Sequence, residues 1–137
     1  MKTTNYTNTF IAVADDCPVN KAEVPPVKGF DKTVANIEYD MLADHPYKFT
    51  SDDVLFKVYA IKHGLSDEGI NKEREKFFSK SQACLRASPL AKRYGWGIAS
   101  NEHQKVAIFP VESDAYKKLL ADDSKTQLKA MRSKKES

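Results

Sequence analysis

Cys84-Leu85-Arg86-Ala87-Ser88-Pro89-Leu90-Ala91-Lys92-Arg93-Tyr94-Gly95-Trp96-Gly97-Ile98 decides how the chain is read. Ser88-Pro89 is a strong helix start. The Ser hydroxyl accepts from first-turn N–H groups, and Pro lacks an N–H that would be unpaired there. Gly95 is a natural stop, because Gly enters the left-handed conformation without a Cβ penalty. The spacing predicts about two turns of helix over Ser88 to Tyr94. Trp96, Ile98, Val106, Ile108 and Val111 then predict two strands around the polar turn 100–105. Pro110 limits the second strand to a sheet edge or to its own last residue.

Working back from that hairpin, Phe10-Ile11-Ala12-Val13 reads as a buried strand closed by Asp15-Asp16-Cys17-Pro18. Pro25-Pro26 marks an extended connector. Asp31 or Thr33 caps a helix whose apolar face is Val34, Ile37 and Met41 with Leu42 beside them. Thr50-Ser51-Asp52-Asp53 starts a second helix, with Val54, Leu55, Val58, Tyr59 and Ile61 or its neighbours as the buried face and Gly64 as its stop. Ser66-Asp67-Glu68 opens a third, with Ile70, Arg74, Phe77 and Phe78 along one side. Working forward, Ser113-Asp114 caps a helix with Tyr116, Leu119 and Leu120. Leu128 and Met131 continue as a last amphipathic turn. The expectation is an α+β fold: a small antiparallel sheet including a hairpin near 96–111, covered by about five helices. Residues 1–132 form one globular domain, and 133–137 a flexible basic tail.

The chain has 137 residues, 41% hydrophobic and 30% charged, ordinary for a soluble globular domain. No apolar run approaches the roughly 20 residues that cross a bilayer, and 1–8 hold no apolar signal core. The expected location is cytoplasmic, with Cys17 and Cys84 both reduced. Net charge is +3, but residues 117–137 alone carry seven basic and three acidic side chains. The excess sits at the end of the chain, where a solvated terminus explains it better than a nucleic-acid contact does.

Candidate chemistry is sparse. His45, His63, His103, Cys17 and Cys84 lack the short spacings of a zinc site, and Asp15-Asp16 and Asp52-Asp53 lack the pattern of a calcium loop. No metal or other cofactor is expected. Cys84 is the weak candidate for a nucleophile, since Arg86 and Arg93 would lower its pKa. A single residue between Cys84 and Arg86 does not make a phosphate-binding loop, and a small buried apolar role explains Cys84 better. Arg86 and Ser88 could hold a phosphate-sized anion, with Lys92 and Arg93 raising the potential and Tyr94 offering a stacking face. Arg86 paired with Asp52 or Asp53 is the competing assignment.

A resemblance covers nearly the whole chain. It is carried by 5–10 with Val13-Ala14-Asp15-Asp16-Cys17-Pro18, by 21–26, by Pro46-Tyr47-Lys48-Phe49-Thr50-Ser51 onward to Phe56, and by Glu73-Arg74-Glu75-Lys76-Phe77-Phe78-Ser79-Lys80. It continues in 86–90, 92–97 and 129–134. In these stretches the chain resembles a family of small microbial proteins classified only as a domain of unknown function. The resemblance implies one family domain, and it brings no activity, cofactor or partner with it. The expected function is a non-enzymatic binding domain for an anionic partner: a phosphorylated small molecule, an acidic protein segment or, least favoured, nucleic acid. The alternatives are a small enzyme using Cys84 with Arg86, or a dimerising adaptor without ligand. No membrane partner is expected.

Overall fold

The computed structural model describes residues 2–134. Five strands form one mixed sheet: β1 (Thr9–Ala12), β2 (Phe49–Thr50), β3 (Trp96–Ser100), β4 (Lys105–Pro110) and β5 (Thr126–Lys129), in the order β2-β4-β3-β1-β5. Five α-helices accompany it: α1 (Val34–Leu42), α2 (Ser51–Lys62), α3 (Ile70–Ser79), α4 (Pro89–Lys92) and α5 (Asp114–Leu120). The fold is α+β, with the hairpin β3–β4 at its middle. Ile98 stands opposite Ile108, and Pro110 is the last residue of β4.

Two features of the sheet differ from expectation. β5 replaces the last helical turn, and it runs parallel to β1, with Ile11 opposite Leu128. Leu128 and Met131 are spaced as on a helix, but pairing with the buried strand β1 satisfies the backbone of 126–129 on one side and overrides that local pattern. Ser133 and Lys134 donate their backbone N–H groups to the Asp16 carboxylate, which holds the start of the basic tail. The rest of the expected tail, 135–137, lies outside the described residues.

Period-2 alternation sends β1 side chains to both faces. Ile11 joins Ile98, Val106, Leu42, Leu85 and Leu90 in the main core under α1 and α4. Phe10 and Ala12 face the other way, with Ala99, under Tyr116 of α5. The Tyr116 ring meets Phe10 edge-on at 5.1 Å between centroids, and its hydroxyl accepts from the Val13 N–H at 3.0 Å.

The helix starts are locally encoded. Thr33 and Thr50 each accept from the N–H three residues on, while Asn36 and Asp53 bond back to the Thr backbone, completing two capping boxes. Ser88 and Ser113 cap α4 and α5. The Ser88 helix is shorter than expected, four residues, because the chain leaves helical geometry at Arg93 before Gly95 turns it at φ +80°. The third helix starts later than expected, after Gly69 at φ +71°. Two helix faces are also rotated from expectation. In α2 Ile61 is exposed while its neighbour Ala60 is buried, and Phe56 joins the buried face. Val34 is exposed, while Asn36 and Glu38 are buried.

Gly97 marks where α5 meets the sheet most closely. A Cβ there would stand 2.6 Å from Tyr116 Cε2 and 2.7 Å from Phe10 Cζ. Both rings are held in the core, so neither gives way cheaply. Gly97→Ala is therefore expected to destabilise the protein by about 1–3 kcal/mol, read as a lower urea midpoint with an unchanged slope.

Candidate functional site

Helices α1, α2 and α3 do not close fully on one another. They leave an open cleft of about 860 Å3, within the range of small-molecule sites. Its apolar lining is Ile37 and Met41 from α1, Phe49 from β2, Phe56 and Ala60 from α2, and Leu65 and Ile70 at the approach to α3. Polar groups interrupt this lining: Lys32, Asp40, His45, Asp53, Lys57 and Arg74.

Each polar group has a traceable position. Asp53 is held by the Thr50 capping box, and its second oxygen accepts from Arg74 Nη2 of α3 at 2.9 Å. Burial works against ionisation of Asp53, but the Thr50 N–H and the Arg74 guanidinium outweigh it and keep the carboxyl below its ordinary range. Arg74 also lies over the Phe56 and Phe78 rings, at 5.8 and 5.5 Å from their centroids. Lys32 Nζ meets Asp40 Oδ2 at 2.6 Å, an exposed pair. The His45 ring stands edge-on to Phe49. Lys57, on α2 one turn beyond Asp53, is exposed and has no hydrogen bond or ion pair among the described residues.

Below the cleft, the N-terminal segment clamps the start of α2. Asp52, 2% exposed, accepts from the Thr3 hydroxyl, the Thr4 hydroxyl and the Thr4 N–H at 2.7–2.8 Å. The Lys2 N–H donates to Phe78 O at the end of α3. Residues 2–4 thus tie α2 to α3 from beneath.

Most of the residues singled out by sequence lie outside this cleft. Of the residues weighed in the sequence, His45 and Asp53 line the cleft, while Cys84, Arg86, Ser88, Lys92, Arg93 and Tyr94 do not. Arg86 pairs with neither Asp52 nor Asp53, whose partners are the Thr3–Thr4 clamp and Arg74. Its Nε instead donates to Lys129 O at 2.7 Å, and its carbonyl accepts from the Met131 N–H, joining it to the β5 end of the chain. Ser88 is buried, 4% exposed, with its hydroxyl turned inward. Lys92 is half-buried at the end of the four-residue α4, and Arg93 just after it is exposed. Tyr94 and Trp96 pack against the main core, and Trp96 Nε1 donates to Glu23 O at 2.8 Å. Cys84 and Cys17 are free thiols. Cys84 Sγ lies 3.2 Å from the Tyr6 hydroxyl, a contact that, with burial, raises the Tyr6 pKa. Among the described residues no three His, Cys, Asp or Glu side chains converge to hold a metal ion. No helix among them is long and apolar enough to cross a membrane.

The chain belongs to DUF6157, a family of unknown function. The family profile matches residues 1–136, nearly the whole DUF6157 chain described here. No curated protein and no solved structure matches it.

One group of this DUF6157 domain escaped sequence reasoning entirely. Glu38 is 1% exposed between α1 and α4. Ser88 Oγ donates to Glu38 Oε1 at 2.7 Å while accepting from the Leu90 N–H at 3.2 Å. Burial pushes the Glu38 pKa up from 4.5 to about 7, against a smaller opposing effect of the Ser88 hydrogen bond. Its folded pKa exceeds its unfolded one, so the stability it contributes is full below pH 4.5 and is lost as pH rises through 7. The shift corresponds to roughly 3 kcal/mol. Gln keeps an oxygen for Ser88 and cannot ionise. Glu38→Gln is therefore expected to gain stability relative to wild type between pH 5 and pH 8, and urea unfolding of both proteins at each pH measures that difference.

Proposed function

We propose that this DUF6157 chain is a non-enzymatic, cytoplasmic binding domain, and that its ligand is a small amphipathic anion held in the α1–α2–α3 cleft. The observation that carries the proposal is the mismatch of charges along an apolar cleft of ligand size. The Asp40 and Asp53 carboxylates are each matched by a cation of the protein, Lys32 and Arg74, whereas Lys57 is unmatched. Asp67 also lines the cleft without a side-chain partner, but it is exposed on the loop between Gly64 and Gly69 rather than on a helix. Lys57 projects from the middle of α2, between Phe56 and Ile61. A ligand with an apolar body against Met41, Phe56 and Ile70 would bring its anionic end to this amine.

Apolar burial would supply most of the affinity, and the amine would set the sign of charge accepted. No Ser, Thr or Cys lines the cleft, which supports binding over hydroxyl or thiol nucleophilic catalysis. Free thiols at Cys17 and Cys84 agree with a reducing compartment.

Decanoate serves as a minimal amphipathic anion. Isothermal titration is expected to give one site per chain in wild type and at least about tenfold weaker binding in Lys57→Glu, an exposed substitution that leaves the core intact. Equal binding by the two proteins, no binding by wild type, or tighter binding of decyltrimethylammonium than of decanoate would each overturn the proposal.

A further inference from the structure

Phe30 is the most exposed large apolar side chain among the described residues, at 107% of its reference area. A fully solvated Phe gives up the burial that normally fixes such a ring, so its position in the connector before α1 asks for a reason. The connector is pinned at both ends. Asn36 Nδ2 donates to Pro25 O at 2.9 Å and to Pro26 O at 3.3 Å, and Thr33 is locked in the α1 capping box. Between these anchors, residues 27–31 make no hydrogen bond to the rest of the described protein. Lys32 is held lightly, by Lys62 Nζ on its carbonyl and by its exposed pair with Asp40.

This loop meets the cleft at Lys32. Lys32, two residues after Phe30, lines the cleft, as do its partner Asp40 and the exposed Ile61 next to Lys62. Two residues span at most about 7 Å, so the Phe30 ring stands on a short tether from Lys32. Gly29, immediately before it, has φ +71° and open space where a Cβ would lie, and without a Cβ it can take either sign of φ at little steric cost.

We propose that residues 27–32 form a lid, and that Phe30 turns about Gly29 to cover the apolar body of the ligand in the cleft. The proposal rests on the cleft being the binding site. Closure buries the Phe30 ring, which the free fold leaves in water, and it requires no break in the Asn36 or Thr33 anchors. The main effect falls on ligand dissociation, because the ring seals a ligand already seated.

The test uses decanoate with the full chain. Phe30→Ala is expected to weaken decanoate binding about fivefold to tenfold, chiefly through faster release, while Lys57→Glu also loses affinity. Phe30→Trp is expected to emit as a solvated indole without decanoate and to shift to shorter wavelength on saturation, with the Trp96 signal of wild type as the control. Phe30→Ala binding like wild type while Lys57→Glu loses affinity would overturn the lid and leave the cleft standing. A blue-shifted Phe30→Trp emission that depends on protein concentration without decanoate would mean that Phe30 contacts a second copy, and would overturn the lid as well. Absence of binding by wild type would remove cleft and lid together.

Discussion

The Ser88 hydroxyl performs two tasks at one point, and the helical layer over the sheet depends on both. It accepts from the Leu90 N–H, starting α4, and it donates to a carboxyl oxygen of Glu38 on α1. Through that atom, segments 50 residues apart are joined in a region closed to water. Leu90 and Ala91 then sit fully buried, and Ala91 O accepts from the Ala14 N–H at the end of β1. An apolar pair of similar shape would satisfy burial but would neither start α4 nor fix which turn of α1 faces it. The polar pair supplies position at the cost of a carboxyl that resists ionisation.

The cleft depends on a second set of constraints, on the other side of α1. Asp52 and Asp53 are adjacent, yet they point to different work. Asp52 is fully committed inward to Thr3 and Thr4, and Asp53 outward to Arg74. Together with the Lys2–Phe78 backbone bond they tie α2 to α3. The two helices also pack directly, through Phe56 and Tyr59 against Phe77 and Phe78. These contacts fix where α2 and α3 meet, and the apolar side chains beyond them, with Ile37 and Met41 of α1, line the open cleft.

Much of this was legible locally. Ser88-Pro89, Thr50, Thr33 and Ser113 announce their caps through side-chain chemistry within three residues, and each occurs where expected. The hairpin was legible from alternation around a polar turn. What failed was non-local. The register of β5 beside β1 has no signal in 126–131 itself. Glu38 lies on a helix whose neighbours define a plausible apolar face without it, and only the approach of Ser88 accounts for a buried acid there. The cleft was illegible for the same reason: Arg74 reads as one more residue of an amphipathic side until Asp53 is placed opposite it.

The placement of the basic residues bears on the kind of anion the fold can accept. Composition alone puts the positive excess at the C-terminal end, which would suit an extended polyanion. In the folded chain that excess is partly spent within the protein. Lys129 pairs with Asp15, the Ser133 and Lys134 N–H groups close on Asp16, and Arg86 is turned to Lys129 O. A polyanion lying along this end would meet Asp15 and Asp16 interleaved with the cations, and would have to displace exposed but mutually satisfied contacts to gain each phosphate. The cleft has the opposite arrangement. Its Asp40 and Asp53 carboxylates are matched in place, Asp67 stands on an exposed loop, the remaining mid-helix charge is a single amine, and the lining around that amine is largely apolar. A field of that form favours one small anion with an apolar body over a chain of phosphates, because the same lining that attracts the body would desolvate every additional charge.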